Sequence, residues 1–177
     1  LSLLQSLNFE QKDEYKVYIK VQDNGATVLA DQDYIIIKVR DNNERPRFPA
    51  DTRQRFIAEN TCDETVVVKD ANGVVAPINA TDPDWGQTEL LMYSITAGGD
   101  QKRFAINATT GVITVNATGT EGACPVLNYE VQPTYSIQVT ATDPGGLTVT
   151  KAFTIELTNV YENPVMPDFY RSTTEAA

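Results

Sequence analysis

The sequence predicts an all-β chain, and three observations carry that prediction. Apolar and polar residues alternate strictly along several segments, no segment sustains a helical period, and Gly, Pro, Asn and Asp punctuate the gaps. In YKVYIKVQ at 15–22, Tyr15, Val17, Ile19 and Val21 share one face, because successive strand side chains point to opposite sides. DYIIIKVR at 33–40 is apolar on both faces at Ile35 to Ile37. YSIQVTAT at 135–142 alternates again through Tyr135, Ile137, Val139 and Ala141, and KAFTIELT at 151–158 does so through Phe153, Ile155 and Leu157.

Composition narrows the class. The 177 residues are 41% hydrophobic, as in a globular protein. With 24 acidic against 14 basic residues, the formal charge of −10 argues against nucleic-acid binding, which needs clustered Lys and Arg, and suits calcium better. No apolar run approaches the roughly 18 residues of a membrane helix, so a membrane enters only through a parent chain. The start, LSLLQSLNFEQKDE, lacks a basic n-region and a cleavage site and reads as an excised piece. Cys62 and Cys124 have no CxxC spacing, which disfavours zinc and redox motifs; a single disulfide is preferred over two buried thiols. The sequons at Asn79, Asn107 and Asn116 fit a glycosylated chain, although an Asn- and Thr-rich sequence also produces sequons by chance. Together these features favour an oxidising, extracellular setting.

The chain repeats itself. LNFE at 7–10 returns as LNYE at 127–130, and the same offset of 120 carries Tyr15 to Tyr135, Asp23 to Asp143 and Gly25 to Gly145. Beyond the intervening hairpin the offset is 118, taking Asp41 to Asn159, Glu44 to Glu162 and Pro46 to Pro164. Such self-similarity marks an array of modules. Residues 1–47 are then the C-terminal half of one module with its linker, 48–163 a complete module, and 164–177 a linker and the start of the next. A half-module of two or three strands cannot close a sandwich, so its apolar face needs a cover from elsewhere.

Acidic residues gather at turns near the 41–48 boundary. Glu10, Asp41, Glu44, Asp82, Asp84 and Asp143 are six carboxylates that one end of a sandwich could collect. Two carboxylates about 4 Å apart repel by roughly 1 kcal/mol in water and about 4 at an effective dielectric of 20. A hard cation reverses that sign: Ca2+ takes oxygens from Asp, Glu, Asn and backbone carbonyls in a forgiving geometry, whereas magnesium is stricter and soft metals want His or Cys.

The chain resembles part of a cadherin ectodomain. The matching residues are LNFE and LNYE, RDNNERPRF at 40–48, IAEN at 57–60, ATDPDWG at 80–86, FAINATTGVI at 104–113 and ATDPGG at 141–146, in the family's order. The resemblance implies Greek-key seven-stranded β-sandwich repeats, all-β throughout, joined by calcium-binding linkers. Carried over by position, it implies Glu10, Asp41, Asn43, Glu44, Asp82, Asp84 and Asp143 as side-chain ligands of the first linker. Asn42, Arg45 and Thr88 would lend mainly backbone carbonyls. Asn8 replaces the family's Asp and removes a charge. At the second linker, Asn128, Asn159 and Tyr161 stand where Asp, Asp and Asn are usual, leaving Glu59, Glu130, Glu162 and Asn163 to bind fewer or weaker ions. Asp23 would serve a preceding linker. Because Glu59 and Glu130 meet at the base of a family repeat, Cys62 and Cys124 would be neighbours, and a bridge closing that loop of about 60 residues would stabilise by roughly 4 kcal/mol.

The implied function is calcium-dependent cell adhesion or tension bearing, with neighbouring repeats of the same chain as partners and another cadherin possible in cis or trans. The alternative is a β-sandwich whose calcium touches a sugar or other ligand directly. Asp82 and Asp84 could also merely start a turn, as Asp before Pro often does. Catalysis is not expected: the chain has no histidine, and an exposed turn among charges is a poor place to raise the pKa of a glycosidase acid. Trp85 either anchors a partner or packs near the linker, the latter being the expectation.

Overall fold

The computed structural model describes residues 5–50, 54–61, 68–97, 103–116 and 127–163. In chain order the strands are β1 (Glu14–Gln22), β2 (Ala30–Lys38), β3 (Phe56–Ala58), β4 (Met92–Ala97), β5 (Phe104–Ile106), β6 (Ile113–Val115), β7 (Thr134–Thr142) and β8 (Thr148–Thr158). Four form a sheet in the order β3-β8-β7-β4, with β3 parallel to β8 and the other pairs antiparallel. The β5-β6 hairpin supplies the facing layer. Between the layers lie the alternating apolar residues of the sequence: Tyr135, Ile137, Val139 and Ala141 from β7, Phe153, Ile155 and Leu157 from β8, and Ile113 and Val115 from β6. Phe104 meets Tyr135 edge to face at 5.5 Å, bridging the layers. Burial of a side chain such as Ile137 or Ile155 stabilises by about 1.5–3 kcal/mol.

The segment leading into Asp82 is held by isolated bridges rather than a continuous ladder. Lys69 pairs with Phe56 and Val75, Arg47 pairs with Thr81, and the Ile78 amide donates to the Gly111 carbonyl at 2.8 Å. Pro77, without an N–H, interrupts the run. The buried Tyr93 hydroxyl accepts from the Ala80 amide at 2.9 Å and fixes the chain just before the aspartates.

The β1-β2 hairpin has the same register as β7-β8. Offsets of 120 and 118 carry the pair Glu14–Lys38 onto Thr134–Glu156 and the pair Gln22–Ala30 onto Thr142–Thr148. Their turns match too: Asp23 accepts from the Leu29 amide and Asp143 from the Leu147 amide, each at 2.9 Å. Only the packing differs. Ile137 and Val139 are sealed, whereas Tyr18, Ile19, Val21 and Ile35 are exposed, because the described residues put no second layer over the first hairpin.

Candidate metal centre

The loop after Ala80 is built by its own hydrogen bonds. The Asp82 amide donates to the Thr88 hydroxyl and the Asp84 amide to Asp82 Oδ1, each at 2.9 Å, while the Gln87 amide donates to the Asp84 carbonyl at 3.2 Å. Gly86 sits at φ +76°, a left-handed conformation that a side chain would resist, and a short 3-10 helix, Thr88–Leu90, follows. Asp82 lies beside Asp84 and Asp143, and the loop turns the Asp84 carboxylate toward 41–44. There the Glu44 amide donates to Asp84 Oδ2 at 3.0 Å, and Asn43 Nδ2 donates to Asp143 Oδ2 at 3.0 Å. Gly145 leaves room for this tie: a Cβ there would lie 2.7 Å from the Asn43 carboxamide, which would have to shift.

Glu10, Asp41 and Asp84 each bring a carboxylate oxygen to within 4.8 Å of the others. Asp84 and Asp143 are only 3% and 5% exposed. Buried oxygens Glu44 Oε2, Asp82 Oδ2, Asp84 Oδ1 and Gln87 Oε1 meet no donor among the described residues. An acceptor so placed costs about 1–3 kcal/mol unless something satisfies it. Burial, then the charge of Glu10, then contact with Asp84 and the charge of Asp41 hold the Glu44 carboxyl above its ordinary value. Burial is also the first cause of the raised Asp82 carboxyl; the Asp84 N–H opposes it, and the charges of Asp84 and Asp143 reinforce it. The donor set is all hard oxygen, with two carboxyls pushed toward protonation by burial and by neighbouring negative charge, and it fits a hard divalent ion.

Glu59 and Glu130 gather at the opposite end of the four-stranded sheet, with different partners. Buried Glu59 accepts from the Tyr129 and Val160 amides at 2.8 and 2.7 Å, which lower its carboxyl below the ordinary value. Glu130 accepts from Asn159 Nδ2 at 3.0 Å, and Glu162 from Asn60 Nδ2 at 2.6 Å. Here amides do what a cation would otherwise do.

A cadherin domain model matches residues 64–158, more than half of the chain. The chain belongs to the cadherin superfamily. It is 30% identical over 146 residues to Protocadherin Fat 4 of Homo sapiens, covering 82% of this chain and 3% of that protein. With Protocadherin alpha-2 of Pan troglodytes it shares 34% identity over 151 residues, 82% of this chain and 14% of that one. Repeats EC22-24 of mouse Cadherin-23 superpose with a TM-score of 0.63 at 25% identity, covering 89% of this chain and 46% of that chain. The chain therefore spans a small part of its curated relatives.

Other positions singled out in this cadherin sequence fall as follows. Asp23 closes the β1-β2 turn, at the end of the hairpin away from Glu10 and Asp41. Asn42 and Arg45 are exposed beside the cluster, and the Thr88 side chain braces Asp82. Asn163 is exposed. Trp85 is 96% exposed, which corrects the expectation that it packs near the linker: it stands in the loop between Asp84 and Gly86 with almost its whole surface in solvent. Asn79 and Asn107 are exposed and Asn116 is half-buried; Asn107 Oδ1 also caps its own loop, accepting from the Thr109 and Thr110 amides at 3.0 Å. Cys62, Cys124 and residues 164–177 lie outside the described residues. Gln87 escaped the sequence reading. Its Nε2 reaches Asn43 Oδ1 at 3.4 Å, and the only signal was its place between Asp84 and Thr88.

Proposed function

We propose that this chain is a segment of an extracellular, calcium-dependent adhesive or tension-bearing rod, with residues 1–47 ending one repeat and 48–163 forming the next. The observation that carries the reading is the approach of Glu10 and Asp41, from the first unit, to buried Asp84 of the second. Glu10, Asp41, Asn43, Glu44, Asp82, Asp84 and Asp143 would hold Ca2+, with backbone carbonyls of Asn42, Arg45 and Thr88 completing the set. Bound calcium supplies positive charge that turns a mutually repelling group into a shared attachment.

The protein's own part is orientation. The Glu44 amide on Asp84 and the Asn43 amide on Asp143 already tie the linker to the second unit, and the Asp82–Thr88 bond holds the loop in place. Glu59, Glu130, Glu162 and Asn163 form a weaker second position, since amides already satisfy much of their charge. Extracellular calcium modules bind at about 10⁻⁴ to 10⁻³ M, so the joint would be stiff outside cells and slack on depletion. The exposed sequons at Asn79 and Asn107 and the likeness to a crystallised protocadherin extracellular domain support an ectodomain, with neighbouring repeats as constant partners and a second cadherin as the adhesive one.

Small-angle scattering with and without calcium, alongside a calcium titration followed through the sole tryptophan, Trp85, tests this. A narrower distance distribution with calcium, and saturable binding in the millimolar range or tighter, are expected; identical scattering in both states would sink the reading.

A further inference from the structure

Between residues 45–48 and the start of β8 lies an open groove of about 690 Å³. Phe48, Leu147 and Val149 make its floor, and Arg45, Arg47 and Lys151 stand around it. In a chain carrying a formal charge of −10, this is a local excess of cations. Glu44 is the one carboxylate among the described lining residues, and it is engaged with Asp84. Lys151 spends one N–H on the Pro49 carbonyl at 3.0 Å and lies over Phe153, 5.6 Å from the ring centroid. The Arg45 and Arg47 side chains are exposed and make no ion pair or hydrogen bond among the described residues.

Planar guanidinium groups match carboxylates bidentately, and paired arginines beside an apolar floor suit a ligand that is anionic and also has something to bury. A sulfated glycan offers the charge but little for Phe48 and Leu147. An extended peptide offers both, because a side chain pointing into the floor is flanked by residues whose carboxylates lie within reach of long arginines. We propose that this groove docks an extended acidic peptide segment of a partner protein, one apolar side chain seated on Phe48, Leu147 and Val149 and its carboxylates paired with Arg45, Arg47 and Lys151. This does not rest on the calcium reading.

The test uses the full chain, 15N-labelled, in excess calcium, titrated with a capped Asp-Leu-Asp-Phe-Asp peptide, its Lys-for-Asp counterpart, and a heparin hexasaccharide. The acidic peptide is expected to shift the amide resonances of Leu147, Val149 and Lys151, more weakly as salt is added. Arg47→Gln should weaken it about three- to fivefold, as loss of an exposed ion pair does, without changing the melting temperature. Equal shifts with the basic peptide, saturation by heparin but not by the peptide, or unchanged affinity in R47Q would each overturn the proposal.

Discussion

Asn159 donates its side-chain amide to Glu130 at 3.0 Å, at the position where one repeat earlier the Asp41 carboxylate stands within 4.8 Å of Glu10. The backbone around the two places follows one plan: the amides of Lys12 and Gln132 donate to the carbonyls of Asn8 and Asn128 at 3.1 and 2.9 Å. A single change of Asp to Asn thus converts a repelling acid pair into a hydrogen bond. Restoring the acid should reverse this. Asn159→Asp is expected to lower the melting temperature of the calcium-free chain, by about 1 kcal/mol of added repulsion and lost hydrogen bonding, and to tighten calcium at this end. Calorimetric titration checks it: a second class of sites should strengthen while the first is unchanged.

Asp84 is the most enclosed carboxylate of the first cluster and touches both sides, accepting from the Glu44 amide and donating its own amide to Asp82. Asp84→Ala removes the shared ligand but no apolar core contact. Calcium affinity should fall at least about tenfold, near 1.4 kcal/mol, with the β-sheet circular dichroism retained. Neighbouring Trp85 reports the titration. Loss of folded signal in the variant would mean that the residue is structural instead.

The pH response of the calcium-free chain follows from the signs of three carboxyls. Glu44 and Asp82 are raised in the folded state, burial first, so between the ordinary carboxylate value and their raised values the folded chain holds more protons than the unfolded one. Their contribution therefore falls as pH rises through that window. Glu59 is lowered, chiefly by the Tyr129 and Val160 amides; its contribution is present above the ordinary glutamate value and lost as pH falls through the lowered one. In decalcified buffer Glu44→Gln should raise the melting temperature at about pH 7, with the gain vanishing toward about pH 4, while Glu59→Gln should lower it at about pH 7. Equal effects of the two substitutions would contradict these signs.

Much of this was legible because strand alternation and repeat offsets are local patterns. Tyr135 to Ala141 and Phe153 to Leu157 announced their buried faces, and offsets of 120 and 118 reproduced a hairpin register to the residue. The site was legible as a resemblance and in its charge pattern, but its contacts were not. That Asn43 spans to Asp143 and Gln87 to Asn43 depends on loops meeting across sequence separations of 100 and 44, which no local pattern encodes. The exposure of Trp85 was missed for a related reason: a lone aromatic in a loop belongs to no alternating pattern that would tell a buried side from a solvated one.

Two glycines separate the fold from the site. Gly111 has φ +66° and its missing Cβ would sit 2.0 Å from the Ile78 carbonyl oxygen, while its own carbonyl accepts from the Ile78 amide. Backbone cannot yield there as a side chain can. Gly111→Ala should cost on the order of 3 kcal/mol or more through a left-handed alanine and a broken bridge between layers. At Gly145 the obstacle is the flexible Asn43 carboxamide, 2.7 Å from a Cβ, and φ is not left-handed. Gly145→Ala should leave the melting temperature of the calcium-free chain within about 1 kcal/mol of the parent, yet displace Asn43 from Asp143 and weaken calcium several-fold. Measuring both variants by thermal unfolding and calcium titration checks the pair. If G145A bound calcium as tightly as the parent, the Asn43–Asp143 tie would have no part in shaping the centre.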